Sequence, residues 1–583
     1  MSASTPKKNS FFGGAAILTA GIIIVKLIGA LFKIPLGNIL SSAGFTDFNT
    51  AYNIYSLLIV ISTGGLPVAL SKMVSEANAR GRTNQVNKVY RLSLVAFCVL
   101  GTLSFLVMAV FPRQLAGLMN NSRSYWSILA LAPAVFFICP LSAMRGYFQG
   151  HSLLTPTAVS QIIEALCKLA IGLPLAYLIM KNIVSVFPAN AIASPAVVGA
   201  VMGVSAAVSN VSQSAEIESQ AAGGAILGVS VGVLLAMLYT FLCFRSHQKR
   251  QKTSQDEPDS SREILGTLAR LAVPITIGAS IVSVTNLFDN AILMDRLQAA
   301  LGYSENQART LYGIYSKTMT LYNLPSSFMV PLTSSVIPAV SAARELHNYK
   351  QGALISETTL RTTALLALPA GIGLFVLGEP IIYLLYPATE NIPLGGWMLS
   401  VLGIASIAVC FMLVSNSIMQ AHKLVTLPMI TTLIGCLLKL IVGYVLTGIP
   451  EIDIRGGAIS TVVCFGIIAI LDLVIIKLTL PRSLSYFRVF VKPAAATAVM
   501  GLSAWAVCGL LSKALVNFAS FQALNERGQM VLSWKGNAVA VAAAIGVAVV
   551  VYFALILLTK AISKEDLSLM PKGDKIARLL RIK

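Results

Sequence analysis

The chain has 583 residues, of which 56% are hydrophobic and only 11% are charged, and its mean hydropathy is +0.79. This apolar content, spread from end to end, excludes a soluble globular protein and predicts helices that cross a bilayer, because about 20 apolar residues span its hydrocarbon core. The net charge of +20 is explained by basic residues that flank the apolar segments and attract anionic lipids, so no nucleic-acid partner is predicted.

Fourteen apolar segments follow one another and predict an all-α polytopic membrane protein with fourteen transmembrane helices. The first segment follows Lys7 and Lys8, is longer than the apolar part of a signal peptide and lacks a cleavage site, so we interpret it as a retained helix. The predicted spans are 11–40, 52–71, 89–111, 126–144, 153–180, 220–244, 264–293, 311–341, 358–378, 396–419, 424–449, 456–480, 489–512 and 537–559.

The basic residues between the spans predict the orientation, because Lys and Arg collect on the cytoplasmic side of a membrane. With the N-terminus inside, the predicted cytoplasmic segments hold most of the 43 basic residues. We therefore predict a multi-pass plasma-membrane protein with both termini in the cytoplasm. Residues 191–211 are apolar too, but a span there would place the basic stretch 245–262 outside, so we assign them to an outer loop with at most a helix lying against the membrane.

Cysteine and histidine patterns give no sign of a metal site or a cofactor. The cysteines lie in apolar segments without a C-x-x-C pair, which predicts packed thiols, and the histidines lie in predicted cytoplasmic loops without ligand spacing, which predicts ordinary surface residues. A P-loop is absent, so the sequence does not predict ATP hydrolysis or another enzymatic activity. These residues are Cys98, Cys139, Cys167, Cys243, Cys410, Cys436, Cys464 and Cys508, and His151, His247, His347 and His422.

An internal repeat relates the two halves of the chain. At an offset of 271 residues, Gln149, His151, Thr155 and Lys168 match Gln420, His422, Thr426 and Lys439, and at an offset of 260 YNIYS (52–56) matches YGIYS (312–316). An insertion of 11 residues, about three helical turns, reconciles the two offsets. The repeat pairs the second span with the eighth and the fifth with the eleventh. Its unit is therefore six helices in one orientation, as in transporters whose substrate site lies at the repeat interface.

The repeat also predicts the domain organisation. Two six-helix lobes, 1–244 and 263–480, are joined by a charged cytoplasmic linker, 245–262. Residues 481–583 add two helices outside the repeat and a cytoplasmic tail.

Seven basic residues fall in or at the edges of the apolar segments. A buried cation is costly in hydrocarbon, so such residues normally face a bundle interior or a water-filled cavity. They predict an anion site inside the membrane, although Arg270 and Arg361 lie near helix ends, from which they can snorkel to the interface. The seven are Lys26, Lys33, Lys168, Arg270, Lys317, Arg361 and Lys439.

Two pairs carry this prediction most directly. Lys26 and Lys33 are seven residues apart, so they share a face of the first helix, with ammonium groups roughly 10 Å apart that could hold a diphosphate and its first sugar. The alternative for Lys33 is snorkelling. Glu164 and Lys168 stand at i and i+4, so they either line the site or form a structural ion pair. In the second half of the repeat, Gly435 occupies the position that corresponds to Glu164, so no carboxylate precedes Lys439 by one helical turn.

Asp289 is an acidic residue inside the predicted seventh span, and Lys317 is a basic one inside the eighth. An intramembrane carboxylate suggests a counterion to a cavity lysine or a site for a coupling proton or sodium ion. A static salt bridge between Asp289 and Lys317 is the competing interpretation.

Four segments of the sequence resemble a known family. They are KLIGALFKIPLGNIL (26–40), STGGLPVALSKMVSEA (62–77), RGYFQGHSLLTPTAVSQIIE (145–164) and MVPLTSSVIPAVS (329–341). The chain resembles the stage V sporulation protein B branch of the polysaccharide exporters in the multidrug, oligosaccharidyl-lipid and polysaccharide exporter superfamily, which is related to the MurJ-type lipid II flippases. The resemblance extends over essentially the whole chain.

The resemblance implies a two-lobed transporter with a central cationic cavity. Such a protein moves an undecaprenyl-pyrophosphate-linked sugar from the inner to the outer leaflet by alternating access, for cell-wall or envelope polysaccharide synthesis. In the lipid II flippases, helix one carries an R-x-x-G-x-x-R-like pattern. Lys26 and Gly29 fit its first part and Lys33 lies one place beyond its end. Lysine lacks the bidentate grip of arginine, so lipid II and another polyprenyl-linked sugar both stay open.

The implied partners are the polyprenyl-pyrophosphate sugar, membrane lipids and a coupling proton or sodium ion, and the implied role of the two extra helices is a groove for the polyprenyl tail. The alternative function is a cation-coupled multidrug antiporter of the MATE type in the same superfamily. Cationic cargo favours acidic cavities, whereas the spans hold seven basic residues against Glu164, Asp289 and Asp472.

Overall fold

A computed structural model describes residues 8–182, 206–249, 254–479, 486–524 and 530–559. Within these ranges the chain is α-helical apart from one short antiparallel hairpin, and thirteen helical stretches are long and apolar enough to cross a membrane. The prediction of an all-α polytopic membrane protein is confirmed. The count of fourteen spans is not.

The contacts between residues divide the chain into two compact units, and the boundary in the sequence lies between Gly313 and Ile314. The first unit contains two π-helical turns, Lys168–Gly172 and Arg296–Ala300. Its helices are α1 (Lys8–Ile39), α2 (Ser42–Thr63), α3 (Leu66–Ala79), α4 (Thr83–Val110), α5 (Pro112–Leu118), α6 (Tyr125–Gly150), α7 (Thr155–Cys167), α8 (Leu173–Met180), α9 (Ala206–Gln248), α10 (Ser261–Asp295) and the start of α11 (Glu305–Tyr322).

The second unit contains the rest of α11 and the remaining helices. They are α12 (Leu324–Ser327), α13 (Val330–Glu345), α14 (Tyr349–Val376), α15 (Gly378–Leu385), α16 (Ile392–Ala421), α17 (Thr426–Thr447), α18 (Arg455–Thr479), α19 (Tyr486–Leu515) and α20 (Trp534–Leu558). Between α19 and α20, strands β1 (Gln522–Leu524) and β2 (Met530–Leu532) form the hairpin. The lobe boundaries derived from the repeat stay a prediction.

Each unit is built around one long apolar helix. In the first unit α6 packs against α2, α3, α4 and α9, and 72% of its most apolar window is buried. In the second unit α16 has this role, packing against α14 and α18. The two helices outside the repeat, α19 and α20, pack against each other, and α19 also packs against α14. Burial on all sides explains why α6 and α16 carry few charges.

The predicted eighth span, 311–341, is interrupted in the structure. It consists of α11, the single turn α12 and α13, with breaks at Asn323 and at 328–329. Pro325 and Pro331 stand in the first turns of α12 and α13. Proline is tolerated there because its missing N–H is not needed, but for the same reason it cannot continue a preceding helix. Pro338 in α13 matches Pro67 in α3 at the offset of 271 residues, so the 11 residues that the repeat adds lie between Ser316 and Pro338, the region that contains these breaks.

The second span is interrupted at the matching place. Helices α2 and α3 are separated by Gly64 and Gly65. A Cβ atom on Gly65 would lie 2.0 Å from the carbonyl oxygen of Ala272 in α10, so only glycine allows this approach.

Two further predictions concern the region before α9 and the cysteines. Of residues 191–211, which we assigned to an outer loop, 191–205 lie outside the described residues and 206–211 form the first turns of α9. All eight cysteines are free thiols that are buried or half-buried, as predicted. The cytoplasmic placement of both termini stays a prediction.

The repeat extends to the backbone of two turns. The turn after α6 has Ser152 at φ 59°, and the turn after α16 has Lys423 at φ 63°. These left-handed conformations end helices by allowing the N–H groups that follow to reach back to the last carbonyls. The bonds that close the turns run from Leu153 N–H to the Phe148 carbonyl and from Leu424 N–H to the Met419 carbonyl, each at 2.9 Å.

The prediction that the histidines are ordinary surface residues is wrong for His422, which is half-buried, and for His151 and His247. The rings of His151 and His247 are also half-buried, their centroids lie 5.0 Å apart, and that of His151 lies 4.6 Å from the Tyr147 ring. Burial, together with His247, lowers the pKa of His151 to about 4. In the sequence His247 lies 100 residues from Tyr147, and no pattern indicates that it meets Tyr147 and His151.

The predicted linker is docked on the first unit where the structure describes it. Asp256 accepts hydrogen bonds at 2.9 Å from the backbone N–H groups of Asn84 and Gln85, so it caps the first turn of α4. Asp259 accepts from the Arg82 guanidinium and from the Gln85 amide, each at 2.8 Å. Because Ser260 is the N-cap of α10, this docking also fixes the start of that helix.

The docking is stable at neutral pH. Desolvation acts in the opposite direction, but hydrogen bonds from Ser254, Asn84 and Gln85 hold the pKa of Asp256 below its ordinary value of 3.8. A carboxyl whose pKa is lowered by folding contributes stability above its unfolded pKa and loses it as the pH falls through the folded pKa. The cap therefore persists through the physiological range and is lost only in acid.

We expect Arg82→Ala to release the linker, because it removes the donor that binds both Asp259 and the Glu257 carbonyl. Hydrogen exchange at 254–260 and in the first turn of α4 should become faster. The control is Arg80→Ala on the same exposed surface, which we expect to leave exchange there unchanged. Equal exchange in the Arg82 variant and the wild type would contradict this account of the docking.

Candidate functional site

Two of the predicted cavity lysines meet on one aromatic ring in the first unit. The Lys33 Nζ atom, from α1, lies 5.8 Å from the ring centroid of Tyr52 in α2. The Lys168 Nζ atom, from the π-helical turn after α7, lies 5.5 Å from the same centroid and 5.9 Å from that of Phe32. Both lysines are half-buried. Ammonium groups at this distance are attracted by the negative face of the ring.

The π-helical turn helps to position Lys168. It begins at Lys168 itself, and such turns shift the side chains that follow them, often at functional sites. At its other end Gly172 touches Gly228 of α9, where a Cβ atom would lie 2.4 Å from the Gly172 nitrogen. This contact fixes the turn against α9.

Tyr52 belongs to a row of aromatic rings along α2 that the sequence analysis did not identify. The rings of Phe45, Phe48, Tyr52 and Tyr55 contact in order, with successive centroids 6.2, 5.8 and 5.6 Å apart. The spacing of these residues, three and four apart, is the signal that could have revealed them, because it places them on one helical face. They form an aromatic wall beside the two lysines.

Lys26 and Glu164 complete this part of the site. Lys26 is exposed and acts electrostatically on Lys33, as does Lys168. The ion pair between Glu164 and Lys168, one of the two interpretations of this spacing, is not formed: in the described part of the chain, the partner of Glu164 within 4 Å is Arg145, at 3.3 Å. The structure thus brings together Lys26, Lys33, Lys168 and Glu164. They are four of the seven residues predicted for the site, which are the five lysines named above together with Glu164 and Asp289.

The other three predicted residues are deeply buried. Asp289 belongs to the first unit and is 5% exposed, whereas Lys317 and Lys439 belong to the second unit and are 1% and 2% exposed. Lys317 donates to the Thr389 hydroxyl at 3.5 Å and lies over the Tyr386 ring. Lys439 also interacts with another residue in the structure, although the position one turn before it is Gly435 and not a carboxylate. Arg270 is exposed and Arg361 half-buried.

One buried ion pair was missed altogether. Asp47 in α2 and Arg309 in α11 are 0% and 1% exposed and bind through two hydrogen bonds, Nε to Oδ1 at 3.0 Å and Nη2 to Oδ2 at 2.5 Å. Thr46 donates to the Arg309 carbonyl at 2.6 Å. The sequence predicts that Asp47 lies ahead of the second span and Arg309 in an outer loop. The two residues are 262 positions apart, and no sequence pattern predicts a contact over that separation.

Close packing supports this pair. A Cβ atom on Gly313 would lie 1.8 Å from the carbonyl oxygen of Ser42, so α11 runs directly against the start of α2. Polar contacts continue beside it: the side-chain amides of Asn121 and Asn290 both lie 3.2 Å from the Thr50 hydroxyl. The result is a buried polar cluster within an apolar unit.

Comparison with family models and known sequences identifies relatives along the whole chain. Residues 151–526 match the model described as "Lipid II flippase MurJ", and residues 11–216 match "Polysaccharide biosynthesis protein". Stage V sporulation protein B of Bacillus subtilis (strain 168) is 24% identical over 571 residues, covering 97% of this chain and 98% of the relative. The lipid II flippase MurJ of the same organism is 24% identical over 559 residues, covering 92% and 94%.

Solved structures show the same fold. A lipid II flippase MurJ in an inward closed conformation has a TM-score of 0.63 at 14% identity and covers 93% of this chain and 98% of its own. An inward-facing multidrug resistance MATE transporter of the MOP superfamily has a TM-score of 0.58 at 14% identity, covering 79% and 96%. The chain therefore has the fold of a transporter of this superfamily.

Proposed function

Because the chain belongs to the MurJ lipid II flippase family, we propose that it moves an undecaprenyl-pyrophosphate-linked saccharide from the inner to the outer leaflet by alternating access. The cargo is lipid II or a related polysaccharide precursor, and the membrane is the plasma membrane, with both termini in the cytoplasm. The product serves cell-wall or envelope polysaccharide synthesis.

The convergence of Lys33 and Lys168 on Tyr52 carries the proposal. A pyrophosphate that leaves water loses its hydration, and ammonium donors replace it with charge-assisted hydrogen bonds. Lys26 adds a third positive charge on the same helix as Lys33. The prenyl tail stays in lipid throughout, and we assign α19 and α20 to it.

The remaining predicted residues have supporting roles in the proposal. Lys317 and Lys439 provide cations in the second unit. Asp289 is a counterion to the lysines or the site of a coupling proton or sodium ion, and its burial suits a carboxylate that changes its charge during transport.

The test is transport in proteoliposomes that contain the purified protein. A fluorescent polyprenyl diphosphate saccharide placed in one leaflet should reach the other, and its transport should respond to an imposed proton or sodium gradient. A matched lipid that carries phosphocholine instead of the diphosphate sugar should not be moved.

The same vesicles test the antiporter alternative. A lipophilic cation such as ethidium should not be exported, because the site described above presents positive charge. Gradient-driven ethidium export without movement of the polyprenyl diphosphate would overturn the proposed function in favour of a MATE-type antiporter.

A further inference from the structure

Arg145 lies beside the candidate site and is the first residue of the segment 145–164 that resembles the exporter family. It stands near the end of α6 and is half-buried. Its Nη2 atom lies 3.3 Å from Glu164 Oε2, and its Nε donates to the Ser160 hydroxyl at 2.9 Å. Both partners belong to α7, so Arg145 is fastened to two successive turns of that helix.

The Ser160 contact fixes the direction of the guanidinium. Ser160 is 0% exposed and uses its single hydroxyl proton to bind the Thr157 carbonyl at 2.8 Å. Its oxygen is therefore left to accept the hydrogen bond from Arg145. With Nε held in this way, Nη2 is directed to Glu164.

This arrangement bears on Lys168. Glu164 precedes Lys168 by one helical turn, the favoured order for an ion pair on a helix. A carboxylate bound to that lysine would cancel its charge and compete with an anionic ligand. Glu164 instead bonds to Arg145, and the Lys168 ammonium lies over Tyr52 and Phe32.

The internal repeat gives an independent observation. At the offset of 271 residues, Lys168 matches Lys439, but Arg145 matches Asn416 and Glu164 matches Gly435. The second half keeps the lysine and lacks both members of the ion pair. An arginine is present where a glutamate accompanies the lysine and absent where it does not.

We propose that Arg145 is a positioning residue that binds Glu164 and so keeps the charge of Lys168 available to the diphosphate of the cargo. This inference rests on the proposed function. Arg145 acts on the ligand through Glu164 and Lys168 and does not itself need to touch it.

A double-mutant cycle tests the inference. Binding of a short-chain prenyl diphosphate to the purified protein is measured for the wild type, Arg145→Gln, Glu164→Gln and the double variant. Arg145→Gln should weaken binding roughly tenfold, the loss expected when one charge-assisted contact is neutralised. The double variant should recover to within about threefold of the wild type, because no carboxylate is then left to occupy Lys168.

The cycle separates positioning from a structural role. If Arg145 only supports the fold, the double variant will bind as poorly as Arg145→Gln, and that result would overturn the inference. Should Arg145→Gln fail to fold, Arg145→Lys serves in its place. Lysine keeps a charge for Glu164 but lacks the second donor group for Ser160, so we expect binding between that of the wild type and that of the glutamine variant.

A second background links the effect to Lys168. In a Lys168→Gln protein, adding Arg145→Gln should cause no further loss of binding. An undiminished further loss would contradict the inference even if the protein is a flippase. A wild type that neither binds the prenyl diphosphate nor moves the polyprenyl lipid would instead contradict the proposed function, so the two failures are distinguishable.

Discussion

Replacing Lys33 and Lys168 together by alanine should reduce transport of the polyprenyl diphosphate saccharide to the level of empty vesicles. In the proposed function each ammonium group supplies a charge-assisted contact to the diphosphate, and losing one such contact corresponds to about a 10- to 100-fold loss of affinity. Each single variant should therefore show a partial loss. Lys26→Ala should show a smaller one, because Lys26 is exposed whereas Lys33 is half-buried next to Lys168.

The matched control is Lys181→Ala. Lys181 also lies over a tyrosine, with its Nζ atom 5.9 Å from the Tyr177 ring centroid, but it is exposed and lies beyond the end of α8. It should keep full transport. Measuring the rate in proteoliposomes with equal amounts of folded protein makes the comparison direct. Full activity in the Lys33/Lys168 double variant would remove the site from the proposal.

Asp47→Ala should destabilise the protein by about 3–5 kcal/mol, because it leaves the Arg309 charge buried without its partner. The loss should appear as a large drop in the thermal unfolding midpoint in detergent. Replacing both residues, by Asp47→Leu and Arg309→Met, should recover much of the stability, since a well-packed apolar pair is often as stable as a buried ion pair.

The control for this prediction is Glu76→Ala. Glu76 lies 4.0 Å from Lys72, and both side chains are more than half exposed. An exposed pair of this kind contributes about 0–1 kcal/mol, so the unfolding midpoint should hardly change. A similarly small change in Asp47→Ala would show that the buried pair contributes little to stability.

The spans were predictable because each requires only a long apolar stretch, a property of neighbouring residues. The eighth failed for a local reason that hydropathy does not register: Pro325 and Pro331 cannot continue the helices that precede them. The sequence predicts a second span that starts at 52, ten residues after Ser42, because Asp47 and its polar neighbours interrupt the apolar stretch. In the structure its charge is compensated by Arg309.

The candidate site was predictable in its residue types but not in its contacts. The cost of burying a cation singled out Lys33 and Lys168, and helical spacing placed Lys33 on the face of Lys26. Spacing also favoured Lys168 as the ion-pair partner of Glu164. In the structure the partner is Arg145, which lies 19 residues away on another helix. Such a choice depends on how α6 packs against α7, which a single sequence does not specify.

The docked linker bears on where the chain can be divided into two parts. The internal repeat predicts that the second lobe begins with α10, yet α10 packs against α2, α3 and α4 of the first unit. The boundary predicted from the repeat and the boundary given by the helix contacts therefore lie at different points in the chain. A cut in the hydrophilic stretch 245–262 would therefore separate α10 from the helices against which it packs.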